Sequence, residues 1–158
     1  MDMLVNLYRL PERKAIEGIA IQRVLAPDVL RVLAFVEKTF GAGWAAESRN
    51  ALYAQPTRCF IAEKNGECVG FACYDATAKG YFGPIGVDES LRGSGIGREL
   101  LLSCLLAMRE EGYGYAAIGW CDHAAPFYAR TVGAVPIEGS EPEHTVYGRL
   151  MRFTRSDA

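Results

Sequence analysis

The apolar positions of this 158-residue chain follow two different spacings, and each spacing predicts one type of element. From Pro27 to Phe40 they recur three and four residues apart, which predicts an amphipathic helix that the proline opens and Gly41 ends. The same spacing predicts three more helices, over residues 44–54, 97–111 and 124–132. The segment Gly41-Ala42-Gly43 between the first two helices is expected to form a small, flexible loop that shapes a pocket.

Runs rich in β-branched and aromatic residues predict the strands. They cover residues 4–10, 19–25, 57–63, 67–74, 81–87, 115–120, 134–137 and 145–153. Asn65-Gly66 separates two of these runs, which indicates a hairpin. The run over residues 81–87 contains Gly83, Pro84 and Gly86, so we expect this strand to bulge or to part from a neighbour. The order of elements predicts an α/β (α+β) fold whose sheet is mixed and mostly antiparallel.

Composition and charge narrow the functional classes. The length suits one domain, and 50% hydrophobic with 23% charged residues is ordinary for a globular protein. A net charge of −2 gives no reason to expect a nucleic acid or a membrane surface as a partner. Neither a secretory leader nor an apolar run of membrane-spanning length occurs, so we expect a cytoplasmic protein.

The five cysteines include no CxxC pair, and most lie in apolar stretches. We therefore expect buried, reduced thiols rather than disulfides. His123 and His144 are the only histidines, and no metal-ligand spacing links them to the cysteines. We expect no metal site.

The segment Arg92-Gly93-Ser94-Gly95-Ile96-Gly97-Arg98 carries the strongest chemical signal. Glycines let a ligand approach the backbone closely, and a helix that begins here presents unpaired N–H groups and a positive dipole end. The two arginines can add charge-assisted contacts to the same anion. The spacing matches neither GxxxxGK[ST] nor GxGxxG, which disfavours a nucleoside triphosphate and a nucleotide-dependent oxidoreductase. We therefore expect a diphosphate-bearing cofactor of another kind.

Two motifs resemble the GNAT superfamily of acyl-CoA N-acyltransferases. The stretch Ile85-Gly86-Val87-Asp88-Glu89-Ser90-Leu91, continued by the glycine segment, is similar to the family's central motif. Ala125-Pro126-Phe127-Tyr128-Ala129-Arg130-Thr131-Val132-Gly133-Ala134 is similar to its second motif. The resemblance covers about residues 19–153 of a single domain, 1–158. It implies a twisted sheet with helices on both faces, splayed between the fourth and fifth strands, here residues 81–87 and 115–120.

The resemblance also implies the cofactor and its residues. The pantetheine arm of acetyl-CoA would pair with the main chain of Ile85, Gly86 and Val87, much like an added strand. Its pyrophosphate would lie on the amides of Arg92, Gly93, Ser94, Gly95, Ile96, Gly97 and Arg98. By the same resemblance Tyr128 is the general acid that protonates the departing thiolate, because a phenol with a pKa near ~10 is protonated at neutral pH.

The sequence leaves the identity of the general base open. Many family members carry an acid on the strand after the crossover helix, but residues 115–120 contain none. Asp122 and His123 lie near the expected place, and water is a third candidate. Cys121 beside His123 also suggests a nucleophile, although a thiol without a catalytic role is the favoured interpretation.

Phe40, Trp44 and Glu47 are the candidate acceptor-binding residues. Trp44 and Glu47 lie one helical turn apart, so an aromatic wall and a carboxylate would share a face and could hold a cationic amine. The function implied is an N-acetyltransferase that moves acetyl from acetyl-CoA to a primary amine of a small molecule or peptide, in a ternary complex. The alternative is a non-catalytic acyl-CoA-binding or regulatory module. Dimers are common in the family, so the resemblance also allows a homodimer.

Overall fold

The computed structural model describes residues 1–151 as one seven-stranded sheet with four α-helices. The strands are β1 (Met3–Asn6), β2 (Ala20–Arg23), β3 (Cys59–Lys64), β4 (Glu67–Tyr74), β5 (Tyr81–Val87), β6 (Tyr115–Ile118) and β7 (Val135–Pro136). The helices are α1 (Val29–Phe40), α2 (Ala42–Leu52), α3 (Ile96–Glu110) and α4 (Ala125–Val132).

The strands lie in the order β2-β3-β4-β5-β6-β1-β7. Neighbours from β2 to β5 pair antiparallel, as do β6, β1 and β7. Only β5 and β6 run parallel, because helix α3 crosses between them. The mixed, mostly antiparallel sheet predicted from the sequence is therefore confirmed.

Two hydrophobic cores lie on opposite faces of the sheet. Helices α3 and α4 cover one face, and α1 and α2 cover the other. Helix α3 is the most enclosed element, with Leu100, Leu101, Leu102 and Leu105 each fully buried. Burying one such side chain contributes about 1.5–3 kcal/mol, so α3 anchors the loop that precedes it.

The predicted first strand is too long, and the predicted last strand does not form in the described residues. The chain leaves β1 at Asn6, whose side chain accepts a hydrogen bond from the N–H of Tyr8 and caps a 3₁₀ turn over Leu7–Arg9. Near the other terminus Thr145 caps a 3₁₀ turn over Val146–Arg149, so no strand forms over the described part of residues 145–153. Residues 152 and 153 lie outside the described part of the chain.

Two shorter predictions are also corrected. The expected loop Gly41-Ala42-Gly43 reduces to Gly41, whose φ of 101° turns the chain directly from α1 into α2. Strand β6 ends at Ile118 rather than at residue 120, because Trp120 adopts a left-handed φ of 46° that a strand does not allow.

The five cysteines are unpaired within residues 1–151, and all except the partly exposed Cys68 are buried. The expected burial of most of the cysteines is confirmed. No helix in the described part of the chain combines the length and the hydropathy needed to span a bilayer.

Candidate functional site

Strands β5 and β6 part after a short paired stretch. They pair only at Tyr81 with Ala117 and at Phe82 with Ile118. Beyond Phe82 no strand among residues 1–151 pairs with that edge of β5, while the other edge remains bonded to β4. The splay expected between these two strands is confirmed.

The local sequence explains why β5 leaves its neighbour. Pro84 has no N–H to donate, and the register of β4 against β5 shifts between Ala72 and Tyr74, as a bulge requires. The segment from Ile85 to Val87 therefore presents main-chain groups toward the gap. A ligand with amide groups can bind such an edge as an added strand does.

A buried carboxylate holds the other side of the gap. Asp2 is 2% exposed and accepts a hydrogen bond from the N–H of Trp120 at 2.9 Å, and another from the hydroxyl of Tyr81 at 3.1 Å. These bonds stabilise the left-handed turn that ends β6. Sequence reasoning missed Asp2, because a lone acid near the start of the chain gives no signal of a contact 118 residues away.

The glycine segment forms the turn that opens helix α3. Gly93 and Gly95 have φ of 83° and 89°, a region that favours glycine, and Gly95 caps the helix without a side-chain hydrogen bond. A Cβ added to Gly93 would meet no atom within 4 Å, so the space above the loop is open. The first amides of α3 and its positive dipole end are therefore available to an anion.

The two arginines of this segment have different surroundings. Arg92 is exposed and makes no ion pair within the described residues. Arg98 donates to the carboxylate of Glu99 and, at 2.9 Å, to the carbonyl oxygen of Glu12. Arg92 is thus the freer cation, whereas Arg98 holds the chain before β2 against α3.

Glu99 is a second buried acid that the sequence did not single out. It is 1% exposed, pairs with Arg98 and more distantly with Arg13, and accepts a hydrogen bond from the N–H of Lys14. Its position in the first turn of α3 suits the helix dipole. The carboxylate fixes the N-terminal segment beside the glycine loop.

A cleft of about 390 Å³ lies at the mouth of the splay. Helix α2 contributes Trp44 and Glu47, and β5 contributes residues 82–85. Strand β6 contributes Ile118, and the segment after it contributes residues 119–121 and His123. The remaining wall comes from Thr77, Ala124, Tyr128 and Tyr147. The size lies within the range of small-molecule sites. A larger groove of about 660 Å³ beside β1 and α4 contains none of the predicted site residues.

Tyr128 projects from α4 into this cleft. Its side chain is buried, with the ring 6.2 Å from that of Phe82 and 5.2 Å from that of Phe127, measured between centroids. Burial raises the pKa of the phenol, and Cys121 and Tyr147 raise it further. The hydroxyl therefore stays protonated at neutral pH and can donate a proton.

The predicted bases occupy different places. His123 lines the cleft. The carboxylate of Asp122 lies 2.8 Å from the amino group of Met1, and this hydrogen bond lowers the pKa of Asp122. Cys121 lines the cleft too, but burial raises the pKa of its thiol and so disfavours the nucleophilic thiolate.

The predicted acceptor-binding residues are divided in the same way. Trp44 and Glu47 line the cleft, whereas Phe40 packs in the core with its ring over Gly86. Sequence reasoning missed Thr77, which donates a hydrogen bond to Glu47, and Tyr147, which lies over Gly119. The segment of Tyr147 was expected to be a strand, whereas it forms the 3₁₀ turn Val146–Arg149.

The Acetyltransferase (GNAT) family model matches residues 29–134, well over half of the chain. The chain belongs to the GNAT acetyltransferase family. The matched residues include the open edge of β5, the glycine segment and Tyr128. No curated protein shows significant sequence similarity to the chain.

Solved GNAT structures share the fold at low identity. A GCN5-related N-acetyltransferase from Sphaerobacter thermophilus superposes with a TM-score of 0.67 at 22% identity, over 85% of this chain and 47% of its own. One from Kribbella flavida gives 0.62 at 17%, over 85% and 53%. This chain thus spans about half the length of these two proteins.

An aminoglycoside acetyltransferase from an uncultured soil metagenomic sample, solved in complex with sisomicin, is also similar. Its TM-score is 0.52 at 18% identity, over 72% of this chain and 87% of its own. At such identities the likeness establishes the GNAT fold.

Proposed function

We propose that this chain transfers an acetyl group from acetyl-CoA to a primary amine by direct attack within a ternary complex. The observation that carries the proposal is the cleft at the splay, where a protonated, buried phenol lies beside an open strand edge. The family membership supports an acyltransferase.

Two parts of the chain would bind the co-substrate. The open edge at Ile85, Gly86 and Val87 supplies main-chain partners for the pantetheine arm. The amides that open α3, together with the exposed Arg92, suit the pyrophosphate. Arg98 would contribute mainly through its amide, because its guanidinium already binds Glu99 and Glu12.

The chemistry requires a neutral amine, a thioester and a proton for the leaving group. A base removes a proton from the ammonium, and the nitrogen lone pair then attacks the thioester carbon. The C–S bond breaks as the amide forms, and Tyr128 donates its proton to the coenzyme A thiolate. The nitrogen loses its second proton as it becomes the amide, and that proton restores the phenol of Tyr128, while the base releases its own proton to solvent. Of the two bases predicted from sequence, His123 has the better position because it lines the cleft.

The test incubates the protein with acetyl-CoA and a panel of primary amines. Product formation is monitored through release of the coenzyme A thiol and through the mass of the acetylated amine. We expect thiol release that depends on the amine, with loss of activity when Tyr128 is replaced by Phe. Binding of acetyl-CoA without transfer to any amine would instead support the non-catalytic acyl-CoA-binding module. Equal turnover by the Tyr128→Phe variant would refute the assigned role of the phenol.

A further inference from the structure

We propose that the acceptor is a monoamine with a flat apolar body, of the arylalkylamine class, whose ammonium group binds the carboxylate of Glu47. This inference rests on the proposed function, since it names the acceptor of the same cleft.

Glu47 is a half-buried carboxylate without a protein cation. It lines the cleft from α2, and its hydrogen-bond donor in the described residues is the hydroxyl of Thr77. No lysine, arginine or histidine among residues 1–151 lies within ion-pair distance of it. Burial raises the pKa of Glu47, which shows that its charge is poorly solvated. A carboxylate in this state gains free energy when a ligand supplies the missing cation.

The rest of the cleft wall is largely apolar and aromatic. Trp44 flanks Glu47 on α2, and the rings of Trp120 and Tyr147, which lie 5.6 Å apart, also line the cleft. Gly119 leaves room for Tyr147, because a Cβ there would lie 2.5 Å from the tyrosine ring. Aromatic faces attract a cation and pack against a flat apolar group.

The count of negative charges decides between a monoamine and a polyamine. Among residues 1–151, Glu47 is the only carboxylate that lines the cleft. Asp2 is buried and bonded to Trp120 and Tyr81, and Asp122 pairs with the Met1 amino group outside the lining. A second or third ammonium of a polyamine would therefore meet no further carboxylate in the described lining, and a desolvated ammonium without a counter-charge costs free energy.

Calorimetry with the CoA-saturated protein tests the acceptor class without any turnover. The probes are phenethylamine, phenethyl alcohol without the charge, butylamine without the ring, and spermidine with several charges. We expect phenethylamine to bind at least roughly tenfold more tightly than each of the others, or about 1.4 kcal/mol. Equal or tighter binding of spermidine or of phenethyl alcohol would overturn the proposal.

Variants test the part played by Glu47. Glu47→Gln removes the charge and should weaken phenethylamine binding roughly tenfold or more, without changing the affinity for CoA or for phenethyl alcohol. Glu37→Gln, on the exposed face of α1, removes the same charge outside the cleft and should change none of these affinities. Glu47→Asp keeps the charge and should retain part of the binding, which guards against a misfolded glutamine variant.

The pH dependence provides a readout that a merely structural role would not affect. Phenethylamine binding should weaken as the pH falls through the raised pKa of Glu47, and the part of this dependence that belongs to Glu47 should be absent from Glu47→Gln. Unchanged phenethylamine affinity in that variant would refute the inference. Because binding is measured without transfer, a protein that acetylates no amine can still show the preference, so the two proposals fail separately.

Discussion

Replacement of Gly86 by alanine tests how closely Phe40 covers the strand that presents the cofactor-binding edge. A Cβ at Gly86 would lie 2.4 Å from the tip of the Phe40 ring, closer than side chains tolerate. The ring has little freedom to move, because its centroid lies 5.3 Å from that of Trp44, 5.5 Å from Phe71 and 5.9 Å from Phe35. The added methyl group therefore has to displace a packed cluster.

Two opposing effects set the change in the free energy of unfolding of Gly86→Ala. Overpacking a close-packed core costs about 1–3 kcal/mol. The φ of Gly86 is not positive, so alanine fits its backbone and lowers the entropy of the unfolded chain, which returns about 0.4–1 kcal/mol. The overpacking is the larger effect. We expect a lower free energy of unfolding and a lower Tm, by about 2–4 °C per kcal/mol for a domain of this size.

The assay is urea denaturation followed by circular dichroism, with Gly43→Ala as the matched control. Gly43 lies in α2, and a Cβ there meets no atom within 4 Å, so the same substitution should stabilise the protein by about 0.5–1 kcal/mol. Combining Gly86→Ala with Phe40→Leu, which shortens the ring, should cost less than the sum of the single changes, by roughly 0.5–3 kcal/mol. If Gly86→Ala unfolds at the wild-type urea concentration, or if the two changes are additive, the inferred packing is incorrect.

Three further predictions concern the chemistry and the glycine segment. Tyr128→Phe should lower kcat by about 10²–10⁴-fold, while calorimetry shows an unchanged affinity for acetyl-CoA. Because burial raises the pKa of Tyr128, any alkaline loss of wild-type kcat that this phenol causes should occur above about pH 10, and the variant should not show it. Arg92→Ala should weaken CoA binding with little effect on urea denaturation. Arg98→Ala should instead lower the free energy of unfolding by about 1–3 kcal/mol, because the buried Glu99 loses a partner. The opposite ranking of the two variants in these assays would contradict the roles assigned to the arginines. Cys121→Ala should keep its turnover, since burial raises the pKa of that thiol, and a loss beyond roughly 100-fold would favour a covalent route over direct attack.

Much of the fold follows from short-range patterns. The Asn65-Gly66 hairpin, the helix after the glycine segment and the irregular strand around Pro84 were all predicted, and the structure contains each of them. They were predictable because turn chemistry, helix periodicity and the missing proline N–H act within a few residues.

The errors occurred where local hydrogen bonds competed with a strand-like sequence. Asn6 and Thr145 each cap a 3₁₀ turn in a run that alternates like a strand. Such side-chain bonds are common for these residue types, yet their formation depends on the surrounding packing.

The sequence by itself determined the backbone of the candidate site: a glycine segment that opens a helix, a strand whose edge cannot pair throughout, and a tyrosine on a later helix. Only the tertiary structure decided which side chains share the cleft. It left Phe40 outside the cleft wall although its ring packs against Trp44, bound Arg98 to the carbonyl oxygen of Glu12, and brought Asp2 against Trp120. The contacts of Arg98 with Glu12 and of Asp2 with Trp120 join residues far apart in the chain, and their energies depend on burial and on the identity of the partner, neither of which is encoded in local spacing.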